Sequence, residues 1–247
     1  MRKDINAYAL THRGKVRKQN EDSYFLSGYV YPVVAVVADG MGGHAGGKLA
    51  SSLAVECFTK MLSKTDIYEL TVKQLKSMME YTSKLIWDKA QSEKGLENMG
   101  TTMTAAIVTE SKVMIGQVGD SRAYILRNGK LDRLTVDHSY VQFLVEKGIL
   151  TPEEAETHPY KNIITRAIGM ETVTADVYVT KFAPGNMILL CTDGLSNTVS
   201  QEELESILMA QDQPKQKCMK LKNLTLDRGA TDNFSVVLLE NGGVGNA

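Results

Sequence analysis

The feature that most constrains the fold is the stretch "TTMTAAIVTESKVMIGQVGDSRAYILRNGKLDRLTV", residues 101 to 136. It is a succession of β-rich segments, parted by "TES", "GDS" and "RNGK". Those breaks are too short for a parallel crossover, which takes a dozen or more residues, so the pairing they allow is antiparallel. Asn128-Gly129 supplies the strongest short hairpin signal, because a two-residue loop of this kind needs positive φ at both positions. Further strands are predicted at 4–11, 22–28, 32–38, 173–182, 187–192 and 233–240. Helices are predicted over 45–64, around Leu75 to Ile86, near 201–209 and near 215–227. Between 138 and 170 the chain is mixed, with a short helix near "SYVQFLVEKG" and a helix start at Thr151 before Pro152. No internal repeat or long linker interrupts the 247 residues. The expectation is one domain over 1–241, of α+β class, with antiparallel sheets covered by helices and a tail over 242–247.

Composition excludes several functions. The formal net charge of −1 creates no global field for nucleic acid or an acidic membrane. The local stretch "RGKVRK" lacks interleaved aromatic residues and is followed by acids, which opposes binding to a phosphate backbone. Cys57, Cys191 and Cys218 fit neither a disulfide framework nor a zinc site. They read as small buried apolar groups in a reducing compartment, and no segment reads as a secretory signal or a membrane span. The expected location is the cytoplasm. The methionine-rich helix near residue 78 reads as core. Lys215, Lys217, Lys220 and Lys222 read as a solvated helix face.

Five aspartates share one kind of position. Asp39 ends "VVAVVA", Asp120 ends "MIGQVG" and Asp193 ends "MILLCT", whereas Asp22 begins "SYFLSG" and Asp232 begins "NFSVVLLE". In antiparallel sheets the end of one strand lies beside the start of its neighbour, so all five can gather at one edge. Gly40, Gly119 and Gly194 flank three of them and leave room for close approach. Any one Asp beside Gly could simply cap a turn. Five carboxylates together repel one another unless a cation compensates, and all-oxygen ligation suits Mg²⁺ or Mn²⁺. Two such ions about 3.5–4 Å apart form a clamp for phosphoryl hydrolysis.

The ordered motifs "RKQNED" (17–22), "DGMGGHAGG" (39–47), "GDSR" (119–122), "HPYKNIITRAIG" (158–169), "CTDGL" (191–195) and "TDNFSVV" (231–237) resemble those of the metal-dependent, type 2C protein serine/threonine phosphatases in their compact bacterial form. The match runs in order from about residue 4 to 240. The resemblance implies a β-sandwich of two antiparallel sheets flanked by helices on both sides, a four-layer αββα arrangement, with a flap near 138–170. It implies direct hydrolysis of phosphoserine and phosphothreonine monoesters by a hydroxide shared between two metal ions. Asp39 is expected to bridge the ions, with the Gly40 carbonyl helping at one and Asp193 and Asp232 at the other. Asp22 is counted with the metal-site acids and orders waters together with Glu21, and Asn233 stands with Glu21 behind the metal ligands. A third, weaker ion is expected at Asp120; the alternative is that Asp120 caps its turn or pairs with Arg122. Arg17 is expected to hold the phosphate oxygens. His44 is the candidate acid for the leaving alkoxide, against a purely structural role in its loop. Phosphorylated proteins are the implied partners, with a cognate Ser/Thr kinase and a monomeric enzyme.

Two other readings are open. Gly42, Gly47 and Lys48 fit the phosphate-loop pattern G-x-x-x-x-G-K, which would make the chain a nucleotide triphosphatase. Leu49 stands where that pattern needs a hydroxyl for Mg²⁺, and the antiparallel strands are wrong for its parallel sheet. Lys48 also departs from the phosphatase pattern, where Glu is common in bacterial members, and is expected on an exposed helix start. A non-catalytic, phosphoprotein-binding relative is expected to lack a metal aspartate, and none is missing here. Cysteine-phosphatase chemistry is absent, because Ser63, Asn197 and Leu224 stand where an arginine is needed after the three cysteines.

Overall fold

A computed structural model of the chain describes residues 5–42 and 46–242. The chain opens with β1 (Ile5–His12), β2 (Ser23–Leu26), β3 (Val33–Ala38) and the two-residue β4 (Gly40–Met41), then two long helices, α1 (Gly46–Leu62) and α2 (Val72–Ser92). Next come β5 (Gly100–Thr101), β6 (Met103–Val108), β7 (Lys112–Val118), β8 (Arg122–Arg127) and β9 (Lys130–Arg133). The short helices α3 (Tyr140–Glu146) and α4 (Pro152–Thr157) occupy the mixed region. The chain then forms β10 (Asp176–Lys181), β11 (Met187–Cys191), α5 (Asp193–Ser196), α6 (Gln201–Met209), α7 (Pro214–Asp227) and β12 (Phe234–Asn241). Capping explains several helix starts. Thr71 and Gln74, Thr151 and Glu154, and Ser200 and Glu203 each form a reciprocal capping box.

Two five-stranded sheets face each other, in the orders β1-β12-β11-β8-β9 and β10-β7-β6-β3-β2, and all their strand pairs are antiparallel. The period of two in β3 shows how the layers form. Val33, Ala35 and Val37 point into the core between the sheets, with Ile188, Leu190, Val237 and Leu239. Val34, Val36 and Ala38 point the other way, against Phe58 of α1 and Leu75 and Met79 of α2. The second sheet behaves alike: Leu189, Cys191, Val236 and Leu238 pack beneath Leu204, Leu208 and Leu221 of α6 and α7. Strands buried on both faces need no polar alternation, so these segments read as continuous apolar runs. The predicted αββα sandwich is the fold.

Two expectations need correction. The run 101–136 is two hairpins rather than one meander: β6–β7 lies in one sheet and β8–β9 in the other. The "GDS" turn carries the chain between sheets. Gly119 adopts φ +101°, and the Gln117 amide donates to the carbonyls of Gly119 (2.9 Å) and Ser121 (2.7 Å), bracing the arch. Turn length alone does not distinguish an arch from a hairpin. The Asn128-Gly129 hairpin stands as predicted, with φ 51° and 75°. The second correction is Lys217. It is buried, and its Nζ donates to the Leu208 carbonyl at 2.6 Å, capping the end of α6, whereas Lys215 and Lys220 face solvent. Cys191 and Cys218 are buried as expected, and Cys57 is partly so. Among the described residues no helix is long and apolar enough to cross a membrane.

Candidate active site

Register brings the acids together. Ser23 pairs with Ala38, so Asp22 and Asp39 lie side by side at one edge of their sheet. Val118 pairs with Met103, two positions from which Thr101 Oγ1 donates to the Asp39 carbonyl (2.8 Å), so Asp120 arrives at the same edge. In the facing sheet Cys191 pairs with Val236, which puts Asp193 and Asp232 together just beyond the strands. Asp193 is also the first residue of α5, a one-turn helix too short to read by periodicity. Two glycines permit the approach of these turns. A Cβ on Gly40 would lie 2.0 Å from the Gly47 carbonyl oxygen, and one on Gly194 would lie 2.0 Å from that of Asn233.

The carboxylates are crowded and short of positive charge. Asp22 is 1% exposed, and burial pushes its pKa up to about 7, with Asp193 and Asp232 adding repulsion. Its Oδ2 accepts from the hydroxyls of Thr192 (2.9 Å) and Ser235 (2.7 Å), while its Oδ1 is buried with no partner among the described residues. Asp39 is raised well above the usual range by burial and by Asp22, Asp193 and Asp120. Asp39 and Asp193 are within hydrogen-bond reach of each other, and Asp193 is raised as well, mainly by burial. Asp120 is pushed to about 7 by burial and then by Asp193 and Asp137. The buried atoms Asp193 Oδ1 and Glu21 Oε1 also have no partner among the described residues. Orphaned, mutually repelling oxygen donors of this kind fit hard divalent cations. Among the described residues no three acidic or imidazole side chains already form a ready-made ligand set. Asp232 Oδ2 is held by Arg17 at 2.7 Å, and Asp22 Oδ2 is held by its two hydroxyls.

Each remaining predicted residue has a definite place. Arg17 stands at the rim, half exposed, on Asp232. Asn233 is a clamp: its Oδ1 accepts from Glu21 N (2.8 Å), and its Nδ2 donates to the carbonyls of Arg13 (2.8 Å) and Gln19 (2.9 Å). It thereby pins the loop that carries Arg17, Glu21 and Asp22. Asp120 does not pair with Arg122, whose guanidinium holds Asp137 at 2.8 Å. Lys48 is exposed near the start of α1, as expected, and its Nζ donates to the Asp22 carbonyl at 2.7 Å. His44 lies outside the described residues.

Sequence reasoning missed the supports. Thr192 and Ser235 sit inside the quoted motifs, but nothing in their spacing tells that both would reach one oxygen of Asp22. His138 likewise carries no signal in the sequence that marks it as a support. It is buried, and burial lowers its pKa, keeping the ring neutral. Its Nδ1 accepts from Gly119 N–H at 3.1 Å, so Nε2 carries the proton toward Asp176 at 3.0 Å. The start of the mixed region is thus tied to the turn bearing Asp120.

Buried carboxylates with unused oxygens and a guanidinium at the rim define a cation-dependent enzyme that handles an anionic substrate. Known proteins narrow that class. Residues 11–220 match the family model described as Protein phosphatase 2C, and the chain belongs to that family. It is 39% identical over 243 residues to a serine/threonine phosphatase, stp, of Listeria innocua, covering 96% of each chain. The crystal structure of the Mycobacterium tuberculosis serine/threonine phosphatase PstP/Ppp superposes with a TM-score of 0.89 at 34% identity, over 97% of this chain and 99% of that one. A structure of the PstP catalytic domain in complex with two manganese ions superposes with a TM-score of 0.85 at 33% identity, covering 96% and 97%.

Proposed function

We propose that the protein is a metal-dependent serine/threonine phosphatase that hydrolyses phosphoserine and phosphothreonine monoesters on proteins. The observation that carries this reading is the convergence of Asp22, Asp39, Asp120, Asp193 and Asp232 at one edge, where burial and mutual repulsion raise the pKa values of the first four and Arg17 pairs with the fifth. Asp39, the Gly40 carbonyl, Asp193 and Asp232 would hold two Mn²⁺ or Mg²⁺ ions, and Asp120 a third, weaker one. When bound, such ions supply positive charge to the phosphoryl group and lower the pKa of a coordinated water. Asp22 and Glu21 would orient the centre through ordered water, and Asn233 supports it by pinning their loop. With ions held at Asp232, the half-exposed Arg17 guanidinium would be free of that carboxylate, and its planar fork would bind the phosphate oxygens. His44 donates a proton to the departing serine or threonine oxygen, a role that rests on its place in the "DGMGGHAGG" motif.

The phosphate-loop reading loses its support. The sheets are antiparallel throughout, and the Lys48 ammonium is engaged by the Asp22 carbonyl. We read 1–241 as one catalytic unit with its flap at 138–170, acting as a cytoplasmic monomer opposite a cognate Ser/Thr kinase. The decisive experiment measures phosphate release from a phosphothreonine peptide with Mn²⁺ and with EDTA. Activity that requires Mn²⁺ is expected. ATP hydrolysis without monoesterase activity would overturn the proposal.

A further inference from the structure

A cleft of about 420 Å³ opens beside the candidate site, between the end of α2, β4–β5 and the segment 167–172 that closes the flap region. Its apolar walls include Met41, Trp87, Met99 and Met170, and two acids, Glu97 and Glu171, stand on it. Among the described residues that line it there is no Lys, Arg or His. Trp87 is the sole tryptophan of the chain and only half buried.

The walls are fixed in place. Ser83 Oγ accepts from Gly169 N–H (2.9 Å) and donates to the Met170 carbonyl (3.0 Å), which latches the segment 167–170 to α2. Thr101 and Ile168 exchange two backbone hydrogen bonds, of 2.9 and 2.8 Å. The cleft is therefore formed before anything enters it, which lowers the entropy lost on binding. Its wall also adjoins the candidate catalytic centre through the backbone. Met41 follows Gly40 directly, β4 pairs Gly40 with Thr101, and Thr101 Oγ1 donates to the Asp39 carbonyl. Two strand residues span about 7 Å, so an extended substrate that places its phosphate at Asp39 brings a side chain a few positions away to the cleft.

The charges of the surroundings select the occupant. On the side of the centre formed by the facing sheet, the loop that carries Arg13, Lys15, Arg17 and Lys18 is basic, and its Arg17 pairs with Asp232. The cleft is acidic and aromatic. A cationic side chain on a long apolar stem is repelled from the first and fits the second, with its stem along the methionines and its charge over Trp87 and between the carboxylates. We infer that this cleft is a specificity site for a Lys or Arg lying two to four residues from the phosphorylated Ser or Thr of the substrate protein. The inference rests on the phosphatase reading and adds the sequence context that the enzyme prefers.

The test uses the Mn²⁺-loaded enzyme and phosphothreonine peptides that differ at one position at a time, which holds Arg, norleucine or Glu. At one position between two and four residues from the phosphothreonine, Arg should exceed Glu in kcat/KM by about tenfold, with norleucine between them and the difference carried by KM. In Glu97→Gln/Glu171→Gln this order should flatten, with hydrolysis of para-nitrophenyl phosphate unchanged. Trp87 emission should respond saturably to a phosphonate analogue of the Arg peptide and much less to its norleucine twin. Loss of para-nitrophenyl phosphate hydrolysis in the wild type would overturn the phosphatase reading itself. Normal hydrolysis with a flat scan, with equal preference for norleucine, or with a preference that survives the double variant would overturn the cleft assignment alone.

Discussion

Replacing Asp22 by Asn should stabilise the metal-free protein at neutral pH, and only there. Asp22 is almost wholly buried, with one oxygen satisfied by Thr192 and Ser235 and the other unpartnered among the described residues. Burial raises its pKa from 3.8 to about 7. A carboxyl group raised in the folded state binds its proton more tightly there than in the unfolded chain. It therefore costs nothing below pH 3.8, and its cost grows through the interval and is complete above about pH 7. At about 1.4 kcal/mol per pH unit, the cost reaches a ceiling of ~4 kcal/mol. Asn keeps the oxygen that accepts from both hydroxyls and presents an amide to Asp39 and Asp193, so the shape and the acceptor survive. The substitution relieves one charge among several, and about half of the ceiling, ~2 kcal/mol, is the expected gain. For a chain of this size that corresponds to a rise in Tm of roughly 4–8 °C. The assay is thermal unfolding in EDTA at pH 4.5 and pH 8, wild type against variant. A gain at pH 8 that shrinks at pH 4.5 is expected. No gain at pH 8, or the same gain at both, would refute the electrostatic account of the centre. Saturating Mn²⁺ should reverse the order, because the ions neutralise the wild-type carboxylates and the variant binds them less well.

Asp39→Asn and Asp193→Asn should each lower kcat by several orders of magnitude while circular dichroism stays native; near-normal turnover in the Asp39 variant would remove the two-ion centre. Arg17→Ala should raise KM for aryl phosphates more than it lowers kcat, since a half-exposed guanidinium gives binding shared by ground and transition states. Equal KM values would show that the arginine never leaves Asp232. Asp120→Ala should bind two ions tightly, lose a weaker third phase in calorimetry and turn over slowly; unchanged stoichiometry and unchanged kcat would leave Asp120 as a turn residue. Gly40→Ala should express poorly or melt far below the wild type, because its Cβ would sit 2.0 Å from a backbone oxygen; a wild-type melting curve would mean that this turn yields freely.

Local chemistry was enough to read the strands and helices. β3, β11 and β12 announce themselves as continuous apolar runs, because a strand covered on both faces has no polar side to show. The five aspartates were legible for a related reason: strand ends are marked by where the apolar run stops, and antiparallel pairing sends those ends to one edge. Other facts belong to the tertiary structure alone. The arch at Gly119 sends β8 to the opposite sheet, and the choice rests on the Gln117 amide reaching two carbonyls, which turn length does not encode. Lys217 looks like its solvated neighbours in sequence, yet it is the one lysine of the four whose stem faces the sheet and whose charge meets the end of α6. Thr192 and Ser235 share one oxygen of Asp22 because β11 and β12 are neighbours, although the residues lie 43 apart in the chain. Periodicity and strand ends report on a residue's immediate neighbours, so sequence determined the layers and the list of acids. Which groups satisfy those acids depends on contacts between distant segments, and only the packing of the two sheets decided that.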